Sequence, residues 1–170
     1  LISGKARHGK STTAKIIKEY YKNLNVIITS YSRYLKMYVE DFFGWDGKEE
    51  TKPRDFLQNL GTEVIRVGLN KPLFFINRTC EDIEIMSYFF DVIIIDDVRT
   101  PEEIDIPKNM FNNVIALKIV RENFETNLTL EQQKEFTEIA LDNYNNYDYV
   151  VINDGSLDDL KEKVIDYLNK

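Results

Sequence analysis

The sequence predicts an α/β fold in which a parallel sheet is covered by helices on both faces. Three observations predict it. Short β-branched runs alternate with helical patterns along the 170 residues, the order that strand–helix–strand units produce. Val92-Ile93-Ile94-Ile95 is apolar at four consecutive positions, as a strand buried on both faces requires. Gly4-Lys5-Ala6-Arg7-His8-Gly9-Lys10-Ser11 matches G-x-x-x-x-G-K-[ST] in full and links a short apolar stretch to a helical one.

The first strand is predicted at residues 1–3, with the glycine-bracketed loop directly after it and a helix at about 11–22. A second strand follows at 25–30. Leu35, Val39 and Phe42 stand at helical spacing and predict a helix over 33–43. Pro53 suits a first helical turn, and the stretch 53–69 places Leu57, Leu60, Val64 and Val67 near one helical face, with Gly61 and Gly68 working against it. Another helical segment covers about 74–89. Strands are predicted at 91–96, 113–120 and 147–153. Residues 129–143 hold Leu130 and Ile139 in a largely polar pattern, which predicts a surface helix. Ser156 and Asp159 form a capping-box-like start for a helix over 156–169, carrying Leu157, Leu160, Val164 and Leu168. Right-handed crossovers place the glycine loop at the carboxyl edge of the sheet, where open α/β folds bind ligands. The mostly helical stretch 31–90 is longer than a crossover needs, so substrate binding is expected there.

Composition narrows the function. Apolar residues make up 43% and charged residues 30%, as in a soluble globular domain, and 170 residues suffice for one domain with a full core. No stretch approaches the roughly 20 apolar residues of a membrane span, so no membrane partner is expected. The single cysteine, Cys80, cannot form an internal disulfide, which fits a reducing cytoplasm. The formal net charge of −7 argues against a nucleic-acid footprint, which needs a basic face. A small phosphorylated ligand stays compatible, because a few local cations can make a positive pocket in an acidic protein.

The glycine loop carries the chemistry. Glycines at both ends let the backbone of Gly4, Lys5, Ala6, Arg7, His8, Gly9, Lys10, Ser11 and Thr12 wrap closely, so that successive N–H groups point at phosphate oxygens. The following helix presents its positive end to the same anion. Lys10 reaches the β- and γ-phosphates of ATP in such a P-loop, and the Ser11 hydroxyl ligates Mg²⁺. His8, the one histidine, reads as a tolerated variable loop position. The Val92–Ile95 run ends in Asp96-Asp97-Val98-Arg99. An acidic residue there helps hold Mg²⁺ or its waters. Strand geometry sends Asp96 and Asp97 to opposite sides if the strand continues that far, so only one of the two faces the nucleotide; the pattern leaves open which, and Asp97 is carried forward as the metal candidate. A guanidinium at Arg99 suits bidentate contact with a phosphate.

Four segments together resemble the bacteriophage-type deoxynucleoside monophosphate kinases, within the P-loop nucleoside monophosphate kinase superfamily. They are residues 2–14 around the loop, the block 53–66 (similar to P-R-x-x-L-Q-x-x-G-T-E-x-x-R), residues 94–103 (similar to D-V-R-x-P-x-E), and 150–160, a closing strand, N-D-G turn and helix. The resemblance spans almost the whole chain. It departs at Thr100, where the family often has Phe, and at Glu102, where it often has Asn.

The resemblance implies a three-layer P-loop kinase fold with a five-stranded parallel sheet in the order 2-3-1-4-5. It implies a single domain over 1–170, with 31–90 as the monophosphate-acceptor insertion and about 121–130 as a short lid. The expected reaction moves the γ-phosphoryl group of ATP to the phosphate of a (deoxy)nucleoside monophosphate. Such transfer depends on positioning and charge neutralisation, and the acceptor phosphate needs no general base. Lys10, Arg99 and the lid residue Arg121 are the catalytic candidates. Arg54, Arg99 and Arg66 are candidates for the acceptor phosphate. Gln58 either hydrogen-bonds the base or faces solvent, and Tyr31, Tyr34, Phe42, Phe43 and Trp45 either stack a base or fill the core. The chain is expected to act as a monomer or homodimer.

Three rivals remain at the level of sequence. A P-loop kinase for a non-nucleotide acceptor such as dephospho-coenzyme A would differ only in the 31–90 pocket. A nucleotide-binding regulatory NTPase of the GTPase-switch kind should carry D-x-x-G after the third strand and N-K-x-D after a later one; here Asp97-Val98-Arg99-Thr100 lacks the Gly, and no N-K-x-D occurs. A kinase of polynucleotide ends should carry a basic stripe, also lacking.

Overall fold

The computed structural model describes residues 1–122, 129 and 132–169. Strand β1 (Ile2–Ser3) runs into the glycine loop, and helix α1 (Lys10–Tyr20) leaves it. Then come β2 (Val26–Thr29), α2 (Arg33–Phe43), α3 (Arg54–Asn59), a π-helix (Leu60–Gly68) and α4 (Phe74–Met86). The rest comprises β3 (Val92–Ile95), α5 (Glu102–Met110), β4 (Leu117–Val120), a 3₁₀ turn (Gln132–Lys134), α6 (Phe136–Ile139), β5 (Tyr149–Ile152) and α7 (Leu157–Leu168).

The mixed α/β class holds, and every strand pair is parallel. The continuous five-stranded sheet in the order 2-3-1-4-5 does not form. The strands make two sheets instead, one of three in the order β1-β4-β5 and one of two, β2-β3. Among the described residues a single bridge, Ser3 to Val98, stands between them, with the Val98 N–H donating to the Ile2 carbonyl at 3.3 Å. The strand ends account for this. β1 is two residues long, and β3 stops at Ile95, before the chain comes alongside β1. Asp97 then turns its carboxylate to the backbone N–H groups of Tyr31 and Ser32, just past the end of β2, at 2.7 and 3.0 Å.

Apolar side chains are buried in two clusters. Ile2, Ile94, Leu117, Ile119 and Val151 pack with Ala14, Ile16 and Ile17 of α1 and Leu160 and Val164 of α7. Ile95 and Val98 pack with Tyr31, Ile76 and Cys80 of α4 and Ile104 of α5. The neighbours Ile94 and Ile95 belong to different clusters, as alternation along a strand demands. Each such isoleucine contributes about 2 kcal/mol by leaving water. α7 begins as the sequence predicts: the Ser156 hydroxyl accepts from the Asp159 N–H, and the Asp159 carboxylate accepts from the Ser156 N–H at 2.7 Å.

Two helix expectations are corrected. The stretch 53–69 is not one α-helix but α3 followed by nine residues of π-helix. Its buried residues are Leu57, Gly61 and Ile65, spaced by four, whereas Val64 and Val67 are exposed at 42% and 65%. The wider π turn rotates the apolar stripe away from the 3.6-residue pattern, and such turns are frequent at functional sites. The predicted helix at 129–143 is reduced to the 3₁₀ turn and the four-residue α6, with residues 130 and 131 outside those described. The stretch has few apolar anchors, and short helices without packing are marginal in water. Of the expected lid, residues 123–128 and 130 lie outside the described residues. Among the described residues no helix is long and apolar enough to cross a membrane.

Candidate active site

The glycine loop is shaped by close approaches that only glycine permits. Gly4 has φ +147°, and a Cβ there would lie 2.4 Å from the Ile119 carbonyl oxygen of β4. Gly9 has φ +107°, and a Cβ there would lie 2.8 Å from the Asn153 Nδ2 atom beyond β5. The loop therefore presses against the carboxyl ends of β4 and β5. The first backbone bond leading into α1 runs from the Thr13 N–H to the Gly9 carbonyl at 2.9 Å. The N–H groups of Lys10, Ser11 and Thr12 precede it and have no partner within the helix. Ser11 is exposed. These residues fit a phosphate: a tight backbone cradle ends on a helix N-terminus.

Lys10 donates from Nζ to the carbonyls of Gly4 at 2.7 Å and Lys5 at 2.9 Å, closing the loop on itself. Burial lowers its pKa to about 8, with the Arg99 charge acting in the same direction. Glu138, Asp97 and Asp96 oppose that shift, Glu138 foremost. Lys10 and Arg99 are thus electrostatic neighbours although 89 positions apart, and Arg99 lines one recess with Ser3, Gly4 and Lys5.

His8 is more than a tolerated position. Its backbone carbonyl accepts from Asn153 Nδ2 at 2.9 Å, and its ring Nδ1 accepts from the Arg121 N–H at 3.1 Å. Nδ1 also lies 3.4 Å from the Ile119 carbonyl oxygen, a contact that would need the ring proton on Nδ1 instead of Nε2; burial, the largest influence, lowers the pKa. His8 thereby ties the loop to the segments leaving β4 and β5. Arg121 is exposed.

Asp97 uses both carboxylate oxygens on the Tyr31 and Ser32 amides. Among the described residues no cluster of three or more His, Cys, Asp or Glu could hold a metal. The donor set fits only a Mg²⁺ that arrives with most of its ligands on a nucleotide's phosphates.

The residues proposed for the acceptor divide. Arg66 lies with its guanidinium 5.5 Å from the Phe75 ring centre, and its charge reaches Glu103, which brings it to the Arg99 neighbourhood. Arg54 pairs with Glu49 at the surface. Gln58 is exposed and lines a cleft with Asp55, Asn59, Thr62, Glu63 and Glu135. Tyr31 is core: it is 3% exposed, and its hydroxyl donates to the Glu103 carbonyl at 2.6 Å. That carbonyl is available because Pro107, four residues on in α5, has no N–H to offer it. Tyr34 donates to Asp82 at 2.7 Å, and Trp45 donates to the Lys48 carbonyl at 3.2 Å. Phe42 and Phe43 are exposed, at 73% and 59%.

Three residues missed in the sequence complete the site. Glu103, 2% exposed, accepts from the Arg99 N–H at 2.5 Å and the Thr100 N–H at 3.2 Å, holding the turn that aims Arg99. Its signal was its place in the Asp97-to-Glu103 string. Glu138 pairs with the Arg99 guanidinium; nothing in a single sequence marks it. Asn153 stands in the N-D-G turn and holds the loop through His8.

Burial raises the Glu103 pKa to about 7, with Asp97 adding to the rise and the Arg99 N–H opposing it. A carboxyl whose pKa rises on folding contributes stability that is complete below about pH 4.5 and lost as pH rises through 7. Raising the pH from 5 to 8 is expected to lower the urea midpoint, with about 1–3 kcal/mol due to this group. Glu103→Gln should flatten that dependence; unchanged slopes in the two proteins would refute the assignment.

A family model described as deoxynucleotide monophosphate kinase matches residues 36–164, most of the chain. The glycine loop lies ahead of the matched span. None of the curated proteins compared with the chain matches it.

Proposed function

The chain belongs to the deoxynucleotide monophosphate kinase family of ATP-dependent nucleotide kinases, and from that premise we propose that it transfers the ATP γ-phosphoryl group to the phosphate of a (deoxy)nucleoside monophosphate. The observation that carries this reading is that Lys10 closes on the Gly4 and Lys5 carbonyls while Arg99, whose charge acts on Lys10, lines one recess with those same two loop residues. A donor cradle and an acceptor-gripping arginine must adjoin for direct transfer between two phosphates.

In this reading the amides from Gly4 to Thr12 bind the donor phosphates. Lys10 exchanges its two loop carbonyls for phosphate oxygens and neutralises the charge that builds between the β and γ positions. Bound Mg²⁺ supplies further neutralisation of the phosphates. Ser11 would hold the ion directly, and Asp97, whose oxygens already hold two amides, would do so directly or through water. Arg99 grips the acceptor phosphate with Arg66 beside it, and Arg54 leaves Glu49 to join them when the acceptor enters. Gln58 reads the base from its cleft. Residues 31–90 serve as the acceptor insertion and 121–130 as the lid, with Arg121 closing on the transferring group, all within one domain over 1–170.

The test is a transfer screen with Mg-ATP against all ribo- and deoxyribonucleoside monophosphates. Turnover of one or a few establishes the reaction and names the base. Intact ATP binding with silence across the panel would refute a nucleotide acceptor. Arg99→Ala is expected to lower kcat/KM for the acceptor by about 10²-fold or more while leaving the ATP Kd within a few-fold. A collapse of ATP binding instead would move Arg99 to the donor site.

A further inference from the structure

Arg99 is held at both ends. Its backbone N–H is fixed by Glu103, and its guanidinium Nη1 donates to Glu138 Oε1 of α6. The pair is not a solvated surface contact: the side chains are 29% and 13% exposed. Glu138 and Arg99 line the same recess as Gly4 and Lys5. The segment carrying Glu138 is fastened to that recess at two more points. Asp142 pairs with Lys5 of the glycine loop at 2.9 Å, and the Leu141 carbonyl accepts from Lys118 Nζ at 3.4 Å.

We infer that Glu138 is a positioning residue for phosphoryl transfer, setting the Arg99 guanidinium beside the glycine loop before substrate arrives. The inference rests on the reading of Arg99 as the arginine that grips the acceptor phosphate. The physical ground is preorganisation. A free arginine side chain carries about 2 kcal/mol of rotamer entropy, and fixing it in advance removes that loss from the binding step. A guanidinium has five N–H donors. Glu138 engages the Nη1 group, so donors remain for a phosphate. A charge-assisted bond from a half-buried carboxylate is stronger than a neutral one, which is why glutamate rather than glutamine suits the place.

The test is a double-mutant cycle with Glu138→Gln and Arg99→Ala, read as kcat/KM for whichever acceptor the screen identifies, ATP Kd, and thermal midpoint. Glu138→Gln is expected to lower acceptor kcat/KM about tenfold, with ATP Kd and midpoint little changed, and to have no further effect in the Arg99→Ala background. Glu138→Asp, which keeps the charge, should recover much of the loss. Wild-type kinetics for Glu138→Gln, or the same factor lost with and without Arg99, would overturn the inference. A gain in acceptor kcat/KM would overturn it too, marking Glu138 as a competitor for the phosphate's place. Should the glutamine variant not fold, the same cycle with Glu138→Asp decides: its loss must vanish in the Arg99→Ala background. The two readings fail separately. Damage from Arg99→Ala without damage from Glu138→Gln removes only the role of Glu138. Normal acceptor turnover in Arg99→Ala removes the phosphate-gripping role of Arg99, and the role of Glu138 with it.

Discussion

Replacing Lys10 by alanine is expected to lower kcat by at least about 10²–10³-fold, the scale on which a preorganised group at developing charge is worth removing. Two things are lost together. The ammonium proposed to neutralise the transferring phosphoryl group goes, and so do the bonds to the Gly4 and Lys5 carbonyls that keep the loop closed. The fold should survive, since Lys10 belongs to neither apolar cluster; circular dichroism and the thermal midpoint check that. Turnover near wild type would refute the P-loop mechanism. The charge state of Lys10 gives a second handle. With its pKa at about 8, the free protein loses the ammonium as pH rises past 8, so kcat/KM for ATP should fall on the alkaline side. Bound phosphates favour the charged form, so kcat should hold to higher pH than kcat/KM.

Gly4→Ala is expected to be nearly as damaging for a different reason. At φ +147° with a carbonyl oxygen 2.4 Å from the new Cβ, the loop or β4 must move. The backbone conformation itself is one that L side chains rarely adopt. A loss of about 2–4 kcal/mol in stability follows from strain of this kind, measured as a drop in the urea midpoint. ATP affinity should fall with it, because the amides that meet the phosphates are carried by the displaced loop. Unchanged stability together with unchanged ATP binding would mean that the loop's approach to β4 is not a requirement.

Much of this site was legible in the sequence because its chemistry is local. Eight consecutive residues make up the proposed phosphate cradle, since in that proposal backbone amides and one lysine do the binding and both glycines lie within one short loop. Asp97 and Arg99 were legible as a strand end. Glu138 was not. Its importance rests on meeting a guanidinium 39 positions earlier in the chain, and no local pattern encodes such a contact. His8 was visible as a residue but not as a link, because its partners stand at Arg121 and Asn153. The π-helix was misread because hydrophobic periodicity assumes 3.6 residues per turn, while packing here selects a wider one.

Binary patterning and motif spacing are properties of neighbours along the chain, and so the mixed α/β class and the family could be read from them, and the glycine loop marked as the proposed phosphate cradle. Tertiary structure decided how the strands divide into two sheets, which face of the 54–68 helices is buried, and which carboxylates address Lys10 and Arg99. Those depend on contacts between distant segments, whose energies are comparable among several local choices and are settled only when the chain is packed.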